Sequence, residues 1–289
     1  GLTSPAVSED PVTWLDGHPG AELPLPDRAL DFGDGLFETL LLRSGRPLFL
    51  EHHLQRLACG LGTLNFPDCL EAVRTQLAQA CDEVVLRDWA WSALRLTVSR
   101  GSGPRGYAPP QRPVPRILIS VTPLSRDCSV MLSPAHLVLS SVTLSSQPLL
   151  AGLKHLNRLE QVLAAREMNE SGADEALMRD AAGHGISVIA GNLFAVSGGR
   201  LLTPELGECG VAGTRRRLVL ERWSVELGLE TAETRLYLPD LQGADELFIC
   251  NSLVGLRPVA SLHDASWEQN PVCTALFQCY LREIAGCVG

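Results

Sequence analysis

The spacing of apolar residues in the first part of the chain predicts a small layer of strands and helices. Short β-rich apolar runs predict strands at residues 12–15, 35–42, 47–50, 91–99 and 116–122. Leucines three or four positions apart predict a helix over 50–64, and a second amphipathic pattern covers 69–81. Two helices against an antiparallel sheet form an α+β layer, so we expect a small α+β domain over residues 12–121.

The second part of the chain mixes the two patterns over a longer stretch. Residues 122–128 are polar and predict a linker. Beyond them we expect strands at 135–142, 174–179, 186–189, 192–196 and 246–251, and helices at 156–169, 214–227 and 267–284. The sequence therefore predicts a larger α/β domain over residues 129–289. The polar start, residues 1–11, is expected to be disordered or tag-like.

Composition narrows the classes of function. The formal charge of −9 argues against a surface for nucleic acid or anionic membranes. No apolar run reaches the length of a membrane span. The nine cysteines are odd in number and contain no Cys-x-x-Cys, which favours reduced thiols in a cytoplasmic protein. The histidines show no metal-ligand spacing, so no metal site is expected.

Lysine is nearly absent. Lys154 is the only lysine among 24 lysine and arginine residues. An arginine cannot lose its proton at physiological pH, whereas a lysine can become a nucleophilic amine and form a Schiff base. Lys154 is therefore the first candidate for catalysis. The alternative is that lysines were replaced by arginines throughout the sequence during evolution and that one lysine remained by chance.

A candidate anion site lies at the predicted start of the 214–227 helix. Gly210 and Gly213 precede Thr214, and three arginines, 215–217, follow it. Cations in a first helical turn oppose the helix dipole, and glycines allow backbone N–H groups to approach a phosphate. The pattern indicates an anion there, although arginines at a helix start are also found simply solvated at a surface.

Further arginines are candidates for anionic groups of a substrate. Arg100, Arg105 and Tyr107 lie in a glycine-rich segment between two predicted strands. Guanidinium groups bind carboxylates with two parallel hydrogen bonds, so this loop could meet a substrate carboxylate. A solvated turn is the alternative. Arg56, on the first predicted helix, would by itself be read as a surface ion pair.

Five further strings stand out along the chain: Asp27-Arg-Ala-Leu-Asp-Phe-Gly-Asp-Gly-Leu-Phe-Glu-Thr39, Ala190-Gly-Asn-Leu-Phe194, Gly213-Thr-Arg-Arg216, Ser99-Arg-Gly-Ser-Gly-Pro-Arg-Gly-Tyr107 and Ile249-Cys-Asn251. Together they resemble the fold-type IV pyridoxal-phosphate enzymes, the family of D-amino-acid and branched-chain aminotransferases and aminodeoxychorismate lyases. The string Lys154-His-Leu-Asn-Arg-Leu-Glu-Gln161 is similar to the lyases in particular.

The resemblance implies a two-domain fold with pyridoxal 5'-phosphate in the cleft between the domains of a homodimer. It implies that Lys154 forms the Schiff base with the cofactor and that Arg56 binds its phosphate. The backbone of Thr214 and Arg215 and the polar groups of Asn251 and Ser252 would complete the phosphate site. The residues implied for the substrate are Arg100, Arg105, Tyr107 and Thr39.

The activity implied is conversion of 4-amino-4-deoxychorismate to 4-aminobenzoate and pyruvate in folate synthesis. One position departs from the family pattern: Ser187 stands where a glutamate usually pairs with the pyridine nitrogen. A hydroxyl cannot keep that nitrogen protonated as a carboxylate does, so transamination should suffer more than an elimination that ends in an aromatic product. The alternatives are a D-amino-acid or branched-chain aminotransferase and a non-catalytic relative that binds the cofactor.

Overall fold

The computed structural model of the protein describes residues 10–286 and divides into two compact units between Asp127 and Cys128. The division falls inside the segment predicted as a linker. The prediction of a disordered or tag-like start lies almost wholly outside the described residues.

The first unit is a six-stranded antiparallel sheet with two long helices. Its strands are β1 (Val12–Leu15), β2 (His18–Pro19), β3 (Gly35–Arg43), β4 (Arg46–Pro47), β5 (Trp91–Ser99) and β6 (Arg116–Pro123). Its helices are α1 (Arg28–Phe32), α2 (Leu50–Thr63) and α3 (Leu70–Val85). The strand order is β2-β1-β6-β5-β3-β4.

The centre of this sheet is the antiparallel pair of β3 and β5, which runs in register from Gly35 opposite Ser99 to Arg43 opposite Trp91. Helix α2 buries an apolar side that includes Leu54, Leu57 and Leu61. A Cβ on Gly60 would lie 2.7 Å from Leu36, so glycine permits the close approach of α2 to β3. This helix–sheet contact forms the core of the unit.

One expectation for the first unit was wrong in detail, and one element was missed. The strand expected at 47–50 ends at Pro47, because Leu50 already begins α2. The short helix α1 was not expected. The Asp27 side chain caps α1 by accepting from the N–H groups of Ala29 and Leu30.

The second unit contains a nine-stranded mixed sheet. Its strands are β7 (Ala135–Leu144), β8 (Glu175–Asp180), β9 (Gly185–Val188), β10 (Asn192–Ser197), β11 (Arg200–Pro204), β12 (Thr231–Thr234), β13 (Glu246–Asn251), β14 (Gly255–Leu262) and β15 (Ala265–Ser266). The order is β12-β11-β10-β13-β14-β7-β8-β9, with β15 paired to β14.

The helices of this unit are α4 (Leu159–Ser171), α5 (Thr214–Leu218), α6 (Ser224–Glu226), α7 (Leu238–Gln242) and α8 (Pro271–Gly286). A π-helical segment, Val219–Trp223, joins α5 to α6, so the helix expected at 214–227 has an irregular middle. Helix α4 begins three residues later than expected.

The core of the second unit is apolar and closely packed. The rings of Phe194 on β10 and Phe248 on β13 stack with their centroids 5.0 Å apart. Around the sheet, buried side chains such as Leu177, Leu193 and Leu247 form a continuous cluster. The expected fold class, with an α+β first part and an α/β second part, is confirmed. Among the described residues, no helix is both long and apolar enough to cross a membrane.

Candidate active site

Lys154 lies in an irregular segment between β7 and α4. This segment is fixed two residues earlier, where the N–H of Gly152 donates to the carbonyl of Gly210 at 2.8 Å. The carbonyl of Gly152 accepts from the N–H of Ala212 at 3.0 Å. The half-buried lysine is therefore tied through the backbone to the glycine-rich loop 210–213.

The residue next to Lys154 carries no charge at neutral pH. His155 Nδ1 accepts from the N–H of Asn157 at 3.2 Å, and the Arg158 side chain donates to the His155 carbonyl at 2.8 Å. Burial, and then the neighbouring charge of Arg158, lower the pKa of His155 to about 4. Near Lys154 the imidazole is thus a neutral group.

Asn192 organises the loop 210–213, and sequence reasoning did not single it out as a site residue. Its side chain is buried; Nδ2 donates to the Val211 carbonyl at 2.8 Å and Oδ1 accepts from the N–H of Gly213 at 3.1 Å. A Cβ on Gly213 would lie 2.0 Å from Asn192 Oδ1, so any side chain at 213 would force the Asn192 amide to move. The Asn-Leu-Phe string contained this signal, but it was used only to mark the family.

The start of α5 is left without a side-chain cap, because Gly213 occupies the cap position. The arginines that follow turn towards protein partners. Arg215 is 1% exposed and donates to Thr214 Oγ1 and to the Ser252 carbonyl, both at 3.1 Å. Arg216 pairs with Glu233, and Arg217 with Glu221. An anion at this helix start would therefore be bound by backbone N–H groups rather than by these guanidinium groups.

Asn251 and Ser252 lie at the end of β13, next to the same loop. The Asn251 side chain already has partners: Nδ2 donates to the Ala190 carbonyl at 2.7 Å, and Oδ1 accepts from the N–H groups of Leu253 and Val254. It shapes the turn after β13, which makes a direct side-chain contact with phosphate less favourable than the sequence suggested. Ser252 contributes its carbonyl to Arg215.

Ser187 lies on β9, where it is paired with Met178 of β8 and is 8% exposed. Among the described residues, no hydrogen bond to its hydroxyl group is found. Its neighbour Ile186 lies against the loop, since a Cβ on Gly210 would come within 3.0 Å of it.

Glu175, the nearest buried carboxylate along β8, does not substitute for a carboxylate at position 187. Met178 is paired with Ser187, so their side chains lie on the same face of the sheet. Glu175 is three residues before Met178, and because side chains alternate along a strand it points to the opposite face. There its carboxylate accepts from the N–H groups of Ile189 and Ala190 at 2.9 and 3.1 Å. Burial raises the pKa of Glu175.

The first unit holds Arg56 in a buried charge network. Its Nε donates to Glu38 Oε2 at 2.9 Å, while His53 Nδ1 lies 2.7 Å from Glu38 Oε1. Burial raises the pKa of Glu38, but the charges and hydrogen bonds of Arg56 and His53 outweigh it and hold that pKa below its usual value. Thr39 follows Glu38 on β3 and therefore faces the other side of the sheet.

The three candidates in the glycine-rich loop have different surroundings. Arg100 is buried, and its guanidinium donates to Asp34 and to the carbonyls of Asn65 and Leu64. These contacts give it a structural role within the first unit and disfavour the expected role in binding substrate. Arg105 is exposed, and no hydrogen bond or ion pair to it is found within residues 10–286. Tyr107 is 84% exposed.

The second unit therefore brings several predicted residues to one place. The Lys154 segment, the loop 210–213, the start of α5 and the turn after β13 are joined by the contacts described above, whereas Ser187 is linked to the loop through its neighbour Ile186. Within residues 10–286, no group of three or more histidine, cysteine, aspartate or glutamate side chains is placed to hold a metal ion.

The fold and this arrangement define a two-unit α/β protein with a single lysine beside a glycine-rich loop and a helix start. A family model described as amino-transferase class IV matches residues 35–262. The chain belongs to the class IV aminotransferase family, whose members are known pyridoxal-phosphate enzymes.

The relatives include proteins of both lyase and aminotransferase description. The chain is 35% identical over 269 residues to an aminodeoxychorismate lyase from Vibrio harveyi, covering 86% of this chain and 90% of that one. It is 31% identical to a putative branched-chain-amino-acid aminotransferase from Methanocaldococcus jannaschii, covering 83% and 82%. A crystal structure of 4-amino-4-deoxychorismate lyase from Pseudomonas aeruginosa matches with a TM-score of 0.86 and 41% identity, covering 94% and 98%.

Proposed function

We propose that the protein is a pyridoxal-phosphate-dependent lyase that converts 4-amino-4-deoxychorismate to 4-aminobenzoate and pyruvate. The observation that carries the proposal is Lys154, the single lysine of the chain, tied to the glycine-rich loop 210–213. The similarity to the Vibrio and Pseudomonas lyases over most of the chain supports the same substrate.

The residues of the second unit fit pyridoxal phosphate. An amine for covalent attachment, Lys154, is joined to a helix start whose cap position is a glycine packed against Asn192. The N–H groups of Thr214 and Arg215 would hold the phosphate, and the Ser187 hydroxyl would face the ring nitrogen. Arg56 remains a predicted phosphate ligand.

When bound, the cofactor would supply an electron sink for the amine-bearing carbon of the substrate. Lys154 Nζ would remove the proton from that carbon. The bond between the ring and the enolpyruvyl oxygen breaks, the ring becomes aromatic, and a proton returned by Lys154 or water completes pyruvate. His155, the next residue in the chain, is neutral at physiological pH and adds no positive charge to the Lys154 segment.

The second candidate is an aminotransferase for D- or branched-chain amino acids. The likeness to the Methanocaldococcus protein favours it. Ser187 disfavours it, because a hydroxyl group cannot hold a protonated ring nitrogen, on which transamination depends more than the elimination does.

One assay tests the proposal and separates the candidates. The purified protein should release pyruvate from 4-amino-4-deoxychorismate without any keto acid, whereas an aminotransferase needs a keto acid to turn over. Lys154→Arg should abolish this release and the absorbance of the covalently held cofactor, because arginine keeps the charge but cannot form the bond.

A lysine moved elsewhere provides the matched control. Arg166→Lys on the exposed side of α4 should keep full activity, and the double variant Lys154→Arg/Arg166→Lys should stay inactive. If Lys154→Arg keeps activity within about tenfold of the parent, a barrier change of only ~1.4 kcal/mol, Lys154 is not the catalytic amine.

We also propose a homodimer in the cytoplasm. Leu149, Leu159, Val162 and Leu163, in the turn before Lys154 and on α4, are all more than half exposed, and such apolar surface supports contact with a second copy. None of the eight cysteines in the described part of the chain forms a disulfide bond, which supports a reducing compartment.

A further inference from the structure

Arg28 holds the backbone of the glycine-rich loop. It is the first residue of α1 and is only 5% exposed. Its Nη2 donates to the Tyr107 carbonyl at 2.6 Å, and its Nη1 lies 3.2 and 3.4 Å from the carbonyls of Gly106 and Ala108. One guanidinium thus bonds three successive carbonyl groups of a segment that has no helix or strand of its own.

The orientation of this guanidinium is itself fixed. Arg28 Nε donates to Asp34 Oδ2 at 2.8 Å, and its guanidinium carbon lies 4.9 Å from the centre of the Phe32 ring. The Phe32 ring in turn lies 5.2 Å from the Tyr107 ring. The groups that orient the Arg28 guanidinium, Asp34 and Phe32, therefore belong to α1 and the residues beside it.

The stem of Arg28 also limits the path of the loop. A Cβ on Gly103 would lie 3.2 Å from Arg28 Cδ, so the chain passes this side chain at close range. Without Arg28, a segment rich in glycine would sample many more conformations, and fixing it again on binding would cost conformational entropy.

We propose that Arg28 is a positioning residue that holds the loop so that Arg105 and Tyr107 meet the substrate. The inference rests on the proposed function, in which these two exposed side chains bind the anionic substrate. Arg28 itself touches neither substrate nor cofactor; its effect passes through the backbone of residues 106–108.

The test compares Arg28→Lys with Arg116→Lys in the cofactor-loaded protein. Lysine keeps the positive charge but lacks the planar fork that reaches three carbonyls and Asp34 together. Arg116 is the matched control: it donates to the carbonyls of Pro24 and Pro26 and to Asp27, and contacts none of residues 106–108.

We expect Arg28→Lys to raise KM for 4-amino-4-deoxychorismate at least about tenfold, with kcat within about threefold of the parent. Trypsin cleavage after Arg105 should accelerate by about the same factor, because the loop opens more often. Cofactor content should not change. Arg116→Lys should leave KM and this cleavage rate at parent values.

An unchanged KM, a loss confined to kcat, or an equal effect of Arg116→Lys overturns the positioning role. The cleavage rate needs no substrate, so it separates the two proposals. If the parent releases no pyruvate, the proposed function fails; an unchanged cleavage rate in Arg28→Lys shows that Arg28 does not hold the loop, whatever the reaction.

Discussion

His155 follows Lys154 directly in the chain and is neutral at physiological pH. Its ring accepts a backbone hydrogen bond from Asn157, and Arg158 lies on its carbonyl side. Protonation would remove the acceptor and place a second cation in a partly buried segment. The protein therefore resists protonation at this position, and folding stability must reflect it.

We expect a measurable dependence of stability on pH from His155. Between its ordinary pKa, about 6.5, and the folded value, about 4, the unfolded chain binds a proton that the folded chain does not. The contribution of His155 to the free energy of unfolding therefore decreases as pH falls through that window and is restored as pH rises.

Urea unfolding at several pH values should measure this effect. His155→Asn keeps an acceptor but cannot titrate, so its stability should fall less steeply with acidification than that of the parent. Equal slopes in the two proteins would remove His155 as the source.

Ser187 offers a second test at residue scale. If the ring nitrogen of the cofactor lies beside this side chain, Ser187→Glu should keep that nitrogen protonated. Conversion of bound pyridoxal phosphate to pyridoxamine phosphate by amino acids should then accelerate, while pyruvate release should change less. Ser187→Gln is the control, with the same size and no charge.

Volume is the competing effect at this position. Ser187 is buried, and a larger side chain can expel the cofactor, so occupancy is measured first in both variants. If both retain the cofactor and the glutamate variant transaminates no faster than the glutamine variant, Ser187 does not face the ring nitrogen.

For single residues, a chemical role could be predicted from the sequence when that role depends only on the type of side chain. Lys154 was a candidate because only lysine offers that reaction. The partners of Arg100 could not be predicted, since Leu64 and Asn65 reach it only through the fold. Asn192 was missed for the same reason: its role depends on a loop far along the chain.

Among the structural elements, the loop 210–213 depends on one glycine. Gly213→Ala places a Cβ against Asn192 Oδ1, so the amide must move and release Val211 and the backbone at 213. We expect a loss of stability of about 1–3 kcal/mol. Cofactor affinity should fall by at least about tenfold, the equivalent of losing one charge-assisted contact.

Titration of the apo-protein with pyridoxal phosphate measures this affinity. Gly207→Ala is the control, because no atom lies within 4 Å of the added Cβ. In the double variant Gly213→Ala/Asn192→Ala the added Cβ no longer meets the Asn192 amide. The loss of cofactor affinity in the double variant should therefore be smaller than the sum of the losses in the two single variants. If Gly213→Ala binds pyridoxal phosphate as tightly as the parent does, the loop 210–213 does not hold the cofactor.

The longer elements were predicted well and the short ones poorly. Strands β5 and β13 and helix α2 have clear apolar periodicity over many residues. Helices α1 and α7 span only five residues each, too few for a period to show. The expected start of α4 at 156 was wrong because His155 accepts from the N–H of Asn157 and from the Arg158 side chain, local contacts that stand in place of a first helical turn.

For the whole molecule, the apolar surface around α4 predicts assembly. The double variant Leu159→Gln/Leu163→Gln should weaken self-association at least about tenfold, since interface cores depend on a few apolar residues. Sedimentation at a series of concentrations measures this change. Leu86→Gln, equally exposed in the first unit, should have no effect. Unchanged association in the double variant would place the dimer contact elsewhere.

The order of strands in the second sheet has a consequence for biosynthesis. In the described sheet, β14 stands between the group β7-β8-β9 and the group β13-β10-β11-β12. Lys154 lies after β7 in the chain, whereas the loop 210–213, to which Gly152 is hydrogen-bonded, lies after β11. The two halves of the lysine site therefore lie in groups that β14, one of the last strands translated, joins into one sheet.

During translation, all strands of the first unit can therefore leave the ribosome before β14 of the second unit has been synthesised. A nascent chain stopped before Gly255 carries every residue of the Lys154 segment and of its partner loop, but lacks the strand that pairs with both β7 and β13. Such a chain would leave the apolar edges of β7 and β13 unpaired, which makes it a substrate for chaperones rather than a competent binder of cofactor.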